Sequence, residues 1–390
     1  MMSELIKISF CGDIMCLKEQ NEAILGAEDV QKAYDSIFDS VKPLLSESDY
    51  VVGNLETPIC DSDFSSESIC FNTPIEFLRA CKYAGFDFLT TSNNHCLDRG
   101  INGIDQTIDN IDKIGLSHTG TYSTIDKSQE ISVIDIKGLE VAFIAATFGT
   151  NSEVNGIVLP EDELWRVDLL KKQNKPARVR FNPGGEEGKK IIYDNVSSAA
   201  ITNSVNNKYL NRLFDKIANA KEIADIVIVM PHIGGQYNSV PGNYTRYIVS
   251  EVARREPSLI VAGHPHVPLR LECINNILSA YSLGNFSFTP GVGYFIPNVL
   301  AEYGIIFHTY WNTNSSTLEK ISFSIVKNII GHDGVSRVVP ANLLYQQLQS
   351  TIDKERLFCE AEAIAERFTT SLCQNPLDKE IIIIPPSSLY

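Results

Sequence analysis

"FLTTSNNHCLDRG", residues 88–100, sets the terms on which this 390-residue chain is read. A short apolar run ending in two threonines has strand character. Two asparagines, a histidine and an aspartate follow, and a glycine closes the stretch. Alone, the polar part is a helix start with a capping side chain. Beside the ends of the other apolar runs it becomes one segment of a sheet edge, where open α/β sheets collect their ligands.

Those other runs are "LIKISF" (5–10), "YVV" (50–52), "VAFIAAT" (141–147), "DIVIVM" (225–230), "SLIVA" (258–262) and "NILSAYSL" (276–283). They alternate with segments of helical period, Ala27 to Leu45 and Ile101 to Ile114, which predicts an α/β architecture with largely parallel central strands. Beyond residue 300, "YGIIFHTYW" and "LEKISFSIV" predict a hairpin. "TIDKERLFCEAEAIAERF" predicts a C-terminal helix, and "IIIIPPSSLY" a strand or arm that docks on the rest.

The formal net charge of −15 disfavours broad binding to nucleic acid or to an anionic membrane. No basic leader precedes an apolar core at the N-terminus, and no stretch reaches about 18 uninterrupted apolar residues, so the chain is expected to be soluble, cytoplasmic and without a membrane anchor. Nine cysteines without a C-x-x-C pair point to free thiols. Residues 161–210 reverse the local sign: Arg166, Lys171, Lys172, Lys175, Arg178, Arg180, Lys189 and Lys190 face few acids. This segment is either a solvated insertion or a lid that touches an anionic substrate.

The polar residues that end each run form the candidate site. The first run ends in Asp13, the second in Asn54 and Glu56, and the third in Asn94, His95 and Asp98; later runs end in His232 and in the pair His264 and His266. Carboxylates, an amide and imidazoles delivered by separate strands can hold two divalent cations, and such donors favour Mn, Fe or Zn over thiolate-bound metals. A pair of cations can share a bridging carboxylate and stabilise both oxygens of a phosphoryl transfer. Glu56 is the candidate bridge. Each element alone has a plainer account as a turn, a cap or a satisfied histidine; their coincidence at five strand ends is what points to a site.

With those residues in place, the sequence resembles the capsule-synthesis CapA family, a branch of the calcineurin-like metallophosphoesterases. The resemblance runs through "GDIM" (12–15), "GNLETPI" (53–59), "FNTP" (71–74), "AGFD" (84–87), "NNHCLDRGINGI" (93–104), "HIGGQY" (232–237), "GHPHV" (263–267) and "YSLGNF" (281–286). It implies a four-layer α/β/β/α sandwich with mixed sheets over residues 1–330, and a C-terminal helix and arm over 331–390. By position it implies Asp13, Glu56, Asn94, His232, His264 and His266 as metal ligands, His95 as general acid and Asp98 as its carboxylate partner. Lys18, Asn54, Tyr237 and Asn285 would lie towards substrate.

The chain departs from the wider pattern at Met15, where a histidine ligand is usual, and at Gln236 and Lys18, where glutamate and arginine are common. The expected activity is metal-dependent hydrolysis of a phosphorus ester or anhydride, with a hydroxide held between the metals as nucleophile and a link to poly-γ-glutamate or capsule metabolism. A non-catalytic module that holds an anionic polymer such as polyglutamate fits the same features, as does a degenerate relative with one structural metal. Cys11, Cys16 and Cys96 read as small buried residues, and His118 as structural.

Overall fold

The strands in the sequence carry two alternating faces, and the computed structural model packs them into two sheets; it describes residues 5–61, 70–173, 204–291, 299–370 and 374–383. In the first sheet β1 (Leu5–Ile14), β2 (Tyr50–Leu55), β3 (Phe88–Thr90) and β4 (Ser117–Thr119) run parallel. On the other side of β1 the sheet continues antiparallel through β12 (Tyr303–Asn312), β13 (Leu318–Ile330) and β14 (Ser336–Pro340). The second sheet has the order β5 (Ser132–Ile136), β6 (Leu139–Thr147), β7 (Ile226–His232), β8 (Leu259–Val261), β10 (Ile277–Leu283) and β9 (Pro268–Ile274), with β6, β7, β8 and β10 parallel. Both sheets are mixed.

Alternation along β1 shows how the layers form. Ile6, Ile8 and Phe10 point between the sheets and share a core with Phe143 of β6, Ile228 of β7 and Leu259 of β8. Cys11, with Val51 and Leu89 on the neighbouring strands, points the other way into helices α1 (Lys18–Leu25) to α4 (Ile75–Ala84). The outer face of the second sheet is covered by α8 (Ser204–Lys221) and α9 (Asn243–Ala253). Period-two burial on both sheets, each covered by helices, gives the expected α/β/β/α sandwich.

The C-terminal elements belong to the same assembly. Leu357, Ala361, Ile364, Ala365 and Phe368 of α11 (Thr351–Phe368) pack with Phe307 and Phe323 on the inner face of β12 and β13. Strand β15 (Ile381–Ile383) pairs antiparallel with β13. Just before it, Glu380 accepts from Lys7 Nζ at 2.9 Å, Tyr310 Oη at 2.5 Å and Ser322 Oγ at 2.6 Å. Burial alone would raise the pKa of Glu380, but hydrogen bonds from Ser322, Tyr310 and Lys7 outweigh it and hold the carboxyl well below its ordinary value of 4.5. Its stabilisation is therefore complete above about pH 4.5 and is lost as pH falls towards the depressed folded value. Glu380→Gln is expected to cost about 1–2 kcal/mol in urea denaturation at pH 7, with the difference from the parent shrinking on acidification; equal stability at pH 7 would refute this anchoring.

Two expectations change. The span Ala27 to Leu45 is not one helix: it forms α2 (Val30–Asp35) and α3 (Lys42–Leu45), with turns between them. Pro43 opens the second, and Asp29 caps the first by accepting from Lys32 N. Residues 94–99, expected to start a helix, form successive turns instead, and α5 (Gly100–Ile114) begins after them. Most of the basic segment 161–210 lies outside the described residues, as do residues 384–390 of the terminal arm. Within the described part, Arg166 is spent on Asp105 at 2.7 Å. No helix among the described residues is long and apolar enough to cross a membrane.

Candidate metal centre

Strand register brings the polar residues together before any side chain is considered. Across the first sheet Asn285, Asp13, Asn54 and Thr90 are successive register partners; β11 (Asn285–Ser287) lies parallel beside the end of β1. In the second sheet Thr147 pairs with His232, and His232 bridges to Gly263. These two rows end at the same edge, and a Cβ placed on Gly263 would lie 3.0 Å from Asp13 Oδ1 and 3.4 Å from His232 Nδ1. Glycine at 263 is what lets the sheets close to this distance.

The side chains then converge. Asp13 is 1% exposed and Glu56 fully buried. Glu56 Oε1 lies 3.5 Å from His232 Nε2 and 3.8 Å from His266 Nε2. Asp13 Oδ2 lies 3.4 Å from His266 Nδ1. His232 Nε2 is 2.7 Å from Asn94 Oδ1 and 3.1 Å from His264 Nδ1. Two groups, Asp13 with Glu56 and His232, and Glu56 with His264 and His266, each place one ligand atom per residue within 4.8 Å of the others. Glu56 belongs to both.

Two atoms within this cluster are left over. Glu56 Oε1 and Asn94 Nδ2 are buried and make no hydrogen bond. An orphaned carboxylate oxygen costs about 1–3 kcal/mol or more unless something binds it. The donor set of oxygen and imidazole fits divalent cations, and a cation would bind the Glu56 oxygen that no hydrogen bond satisfies.

Protonation follows the same geometry. Burial and the neighbouring imidazoles of His232, His266 and His95 hold His264 well below its ordinary pKa, which favours the neutral ring. Burial also works against a charge on His266, yet Glu56, Asp13 and the Asn285 hydrogen bond raise its pKa to about 9. Burial would raise Asp13, but the His266 hydrogen bond and the neighbouring histidines bring its net pKa below the ordinary value. The carboxylates of Asp13 and Glu56 thus both favour positive charge in the cluster, the charge a divalent cation would supply.

The backbone that presents the histidines is strained. His264 has φ 98° and His266 φ 57°, on either side of Pro265. Each such residue costs about 1–3 kcal/mol, and the surrounding structure must hold it. Asp13 Oδ2 accepts from His264 N at 3.3 Å, and Pro265 O accepts from Tyr237 N at 2.8 Å. The same aspartate thus faces the site and secures the turn that delivers two other site residues.

Beside the cluster, His95 Nδ1 lies 2.6 Å from Asp98 Oδ2, and Phe71 stacks on the imidazole at 3.7 Å with an interplanar angle of 8°. Asp98 Oδ2 also accepts from Phe71 N at 2.7 Å. The ring is therefore fixed at its edge and its face, with Nε2 on the side away from Asp98.

The whole arrangement lies inside the span, residues 7–290, over which the chain matches the family described as bacterial capsule synthesis protein PGA_cap. This chain belongs to the PGA_cap family. Among its relatives, PGA biosynthesis protein CapA of Bacillus subtilis is 28% identical over 292 residues, which cover 74% of this chain. The chain spans 64% of that relative's length. Capsule biosynthesis protein CapA of Bacillus anthracis is 23% identical over 365 residues, covering 92% of this chain and 77% of that protein. Among solved structures, a phosphatase from Mycoplasma pneumoniae aligns with TM-score 0.44 and 13% identity over 90% of this chain and all of that one.

In this PGA_cap member the six residues expected as ligands all lie in the cluster or bonded to it. Two of the four expected towards substrate, Asn54 and Asn285, are buried against residues of the cluster instead. Asn54 donates to Asp13 Oδ1 at 2.8 Å and accepts from Thr90 and Asn93, so it braces that carboxylate. Asn285, fully buried, places Oδ1 3.0 Å from His266 Nδ1 and donates to two backbone carbonyls. Lys18 is partly exposed at the start of α1, 3.6 Å from Glu22. Tyr237 does border the site, its ring centroid 5.7 Å from that of His266. Met15 packs with Leu17, Phe288 and Phe71 in a small apolar cluster. Cys11, Cys16 and Cys96 are buried as expected.

Sequence reading missed Phe71, Phe148, Asn151 and Asn155. Phe148 packs on His264 at 4.6 Å; Asn151 Nδ2 lies 3.4 Å from His95 Nε2; Asn155 Nδ2 donates to Asp98 Oδ1 at 3.3 Å. The signal was present, because "VAFIAAT" is a parallel strand and "FGTNSEVN" follows its carboxyl end. Its residues carry no histidine and only one acid, which is why a search for titratable groups passed over them.

Proposed function

We propose that this chain is a metal-dependent hydrolase of a phosphorus ester or anhydride, with Asp13, Glu56, Asn94, His232, His264 and His266 holding two divalent cations. The observation that carries this reading is Glu56, common to both candidate groups and left with a buried, unpartnered oxygen between them. When bound, two such cations lower the pKa of water and neutralise charge on a phosphoryl group. The protein's own residues do the rest.

His95 is the proton donor to the leaving oxygen. Asp98 holds Nδ1, which keeps Nε2 as the atom that exchanges a proton. Phe71 prevents the ring from turning away. Asn54 and Asn285 hold Asp13 and His266, so that the ligands do not need to reorganise during the reaction. The names of the Bacillus relatives support a substrate among the anionic molecules of polyglutamate or capsule metabolism.

The test is metal content per chain together with turnover of a generic phosphodiester and phosphomonoester in added Mn. His95→Asn is expected to retain the parent's metal and lose about 10²-fold or more in turnover. Equal turnover in parent and variant would remove His95 from the chemistry. Saturable polyglutamate binding by a parent without turnover, unchanged in His95→Asn, would support the non-catalytic binding module instead.

A further inference from the structure

We infer that Asn151 is a specificity-determining residue that meets the leaving group, an inference that rests on His95 being the proton donor. Its amide nitrogen lies 3.4 Å from His95 Nε2, the atom from which the proton must leave. That distance is at the long end for a hydrogen bond and is readily given up. The imidazole does not depend on it for orientation, because Asp98 at 2.6 Å and the Phe71 stack already fix the ring. Asn151, itself half-buried, therefore covers the proton-delivering atom, so that an oxygen taking the proton has to arrive beside its amide.

The local backbone is built to present this side chain. Asn151 has φ 51° and precedes the short helix α7 (Ser152–Asn155), which ends at Gly156 with φ 75°. Asparagine tolerates the left-handed region better than most residues, though not without cost. At the other end of the turn, Asn155 Nδ2 donates to Asp98 Oδ1 at 3.3 Å and to Thr150 O at 2.7 Å. Gln173 Nε2 donates to Thr150 Oγ1 and fixes the start of the turn. One short turn thus grips both members of the His95–Asp98 pair and aims an amide, with a donor and an acceptor, at the place where the leaving group departs.

An amide there recognises a leaving group with a hydrogen-bonding group next to the departing oxygen, such as a polyol, and gains nothing from a plain aromatic one. The two classes are represented by glycerol 2-phosphate and phenyl phosphate. Asn151→Gly is the informative variant, since glycine removes the amide and relaxes the backbone at φ 51°. The thermal midpoint should stay level or rise. In this variant kcat/KM for glycerol 2-phosphate is expected to fall about tenfold, the worth of one hydrogen bond, with phenyl phosphate within about twofold. Parallel changes on both substrates, or none on either, overturn the inference. If the parent hydrolyses neither ester, the hydrolase reading has failed separately. Calorimetric titration of the metal-loaded proteins with both compounds then decides: a tenfold selective loss of glycerol 2-phosphate affinity in the variant upholds the contact, whereas equal affinities, or no binding by the parent, overturn it.

Discussion

Glu56→Gln is expected to strip both cation positions at once. The substitution keeps size and shape, so the fold should survive; what disappears is the charge on the one carboxylate common to both candidate groups, whose Oε1 faces His232 and His266. Substitutions at residues found in one group only, Asp13→Asn or His264→Ala, should instead reduce content stepwise. Elemental analysis of protein purified without chelator separates these patterns. A second readout comes from linkage: ligand at about 100 times its dissociation constant stabilises by about 2.7 kcal/mol, so the parent's melting temperature should fall with chelator. That of Glu56→Gln should not move. A variant that retains the parent's metal content and chelator response would show that Glu56 is not the shared ligand.

The sequence made this site legible because its ligands lie where strand periodicity ends. "LIKISF" stops one residue short of Gly12 and Asp13, and "VMPH" carries its histidine on the last residue of β7. Which residues would serve the ligands rather than the substrate was not legible. Asn54 and Asn285 look alike in sequence to substrate-facing amides. Only the pairing of β1 with both β2 and β11 shows that they flank Asp13 in the same row. The place of Asn151 after a strand end was legible, but its contact with His95 was not, because it depends on a left-handed residue after a strand of the other sheet. Helix boundaries failed where tertiary contacts override period, as at α2 and α3, whose apolar residues Tyr34, Leu44 and Leu45 pack into one cluster although the helix between them is broken.

Gly12→Ala is expected to be the most destabilising single-methyl change in the site. A Cβ at residue 12 would lie 1.9 Å from Gly284 O and 2.9 Å from Gly284 C, both backbone atoms that cannot rotate away. The strands that would have to part are joined there by Asp13 N donating to Gly284 O at 3.0 Å, and Met15 N donating to Ser287 O at 2.9 Å. Gly284 has little room to yield, since it holds φ 71° and a Cβ on it would in turn meet Pro268 at 2.6 Å. Overpacking usually costs about 1–3 kcal/mol, and a backbone clash in a buried strand pair should reach or exceed the top of that range. Moving β1 from β11 also shifts Asp13 against Asn285, the amide that orients His266, so metal content should fall along with stability. Gly26→Ala is the matched control: its φ is −88° and a Cβ there meets nothing within 4 Å, so its stability should stay level or rise by a few tenths of a kcal/mol. Urea denaturation of the two variants decides the matter, and Gly12→Ala within about 0.5 kcal/mol of the parent would mean that the close approach of these strands is not what sets the position of Asp13.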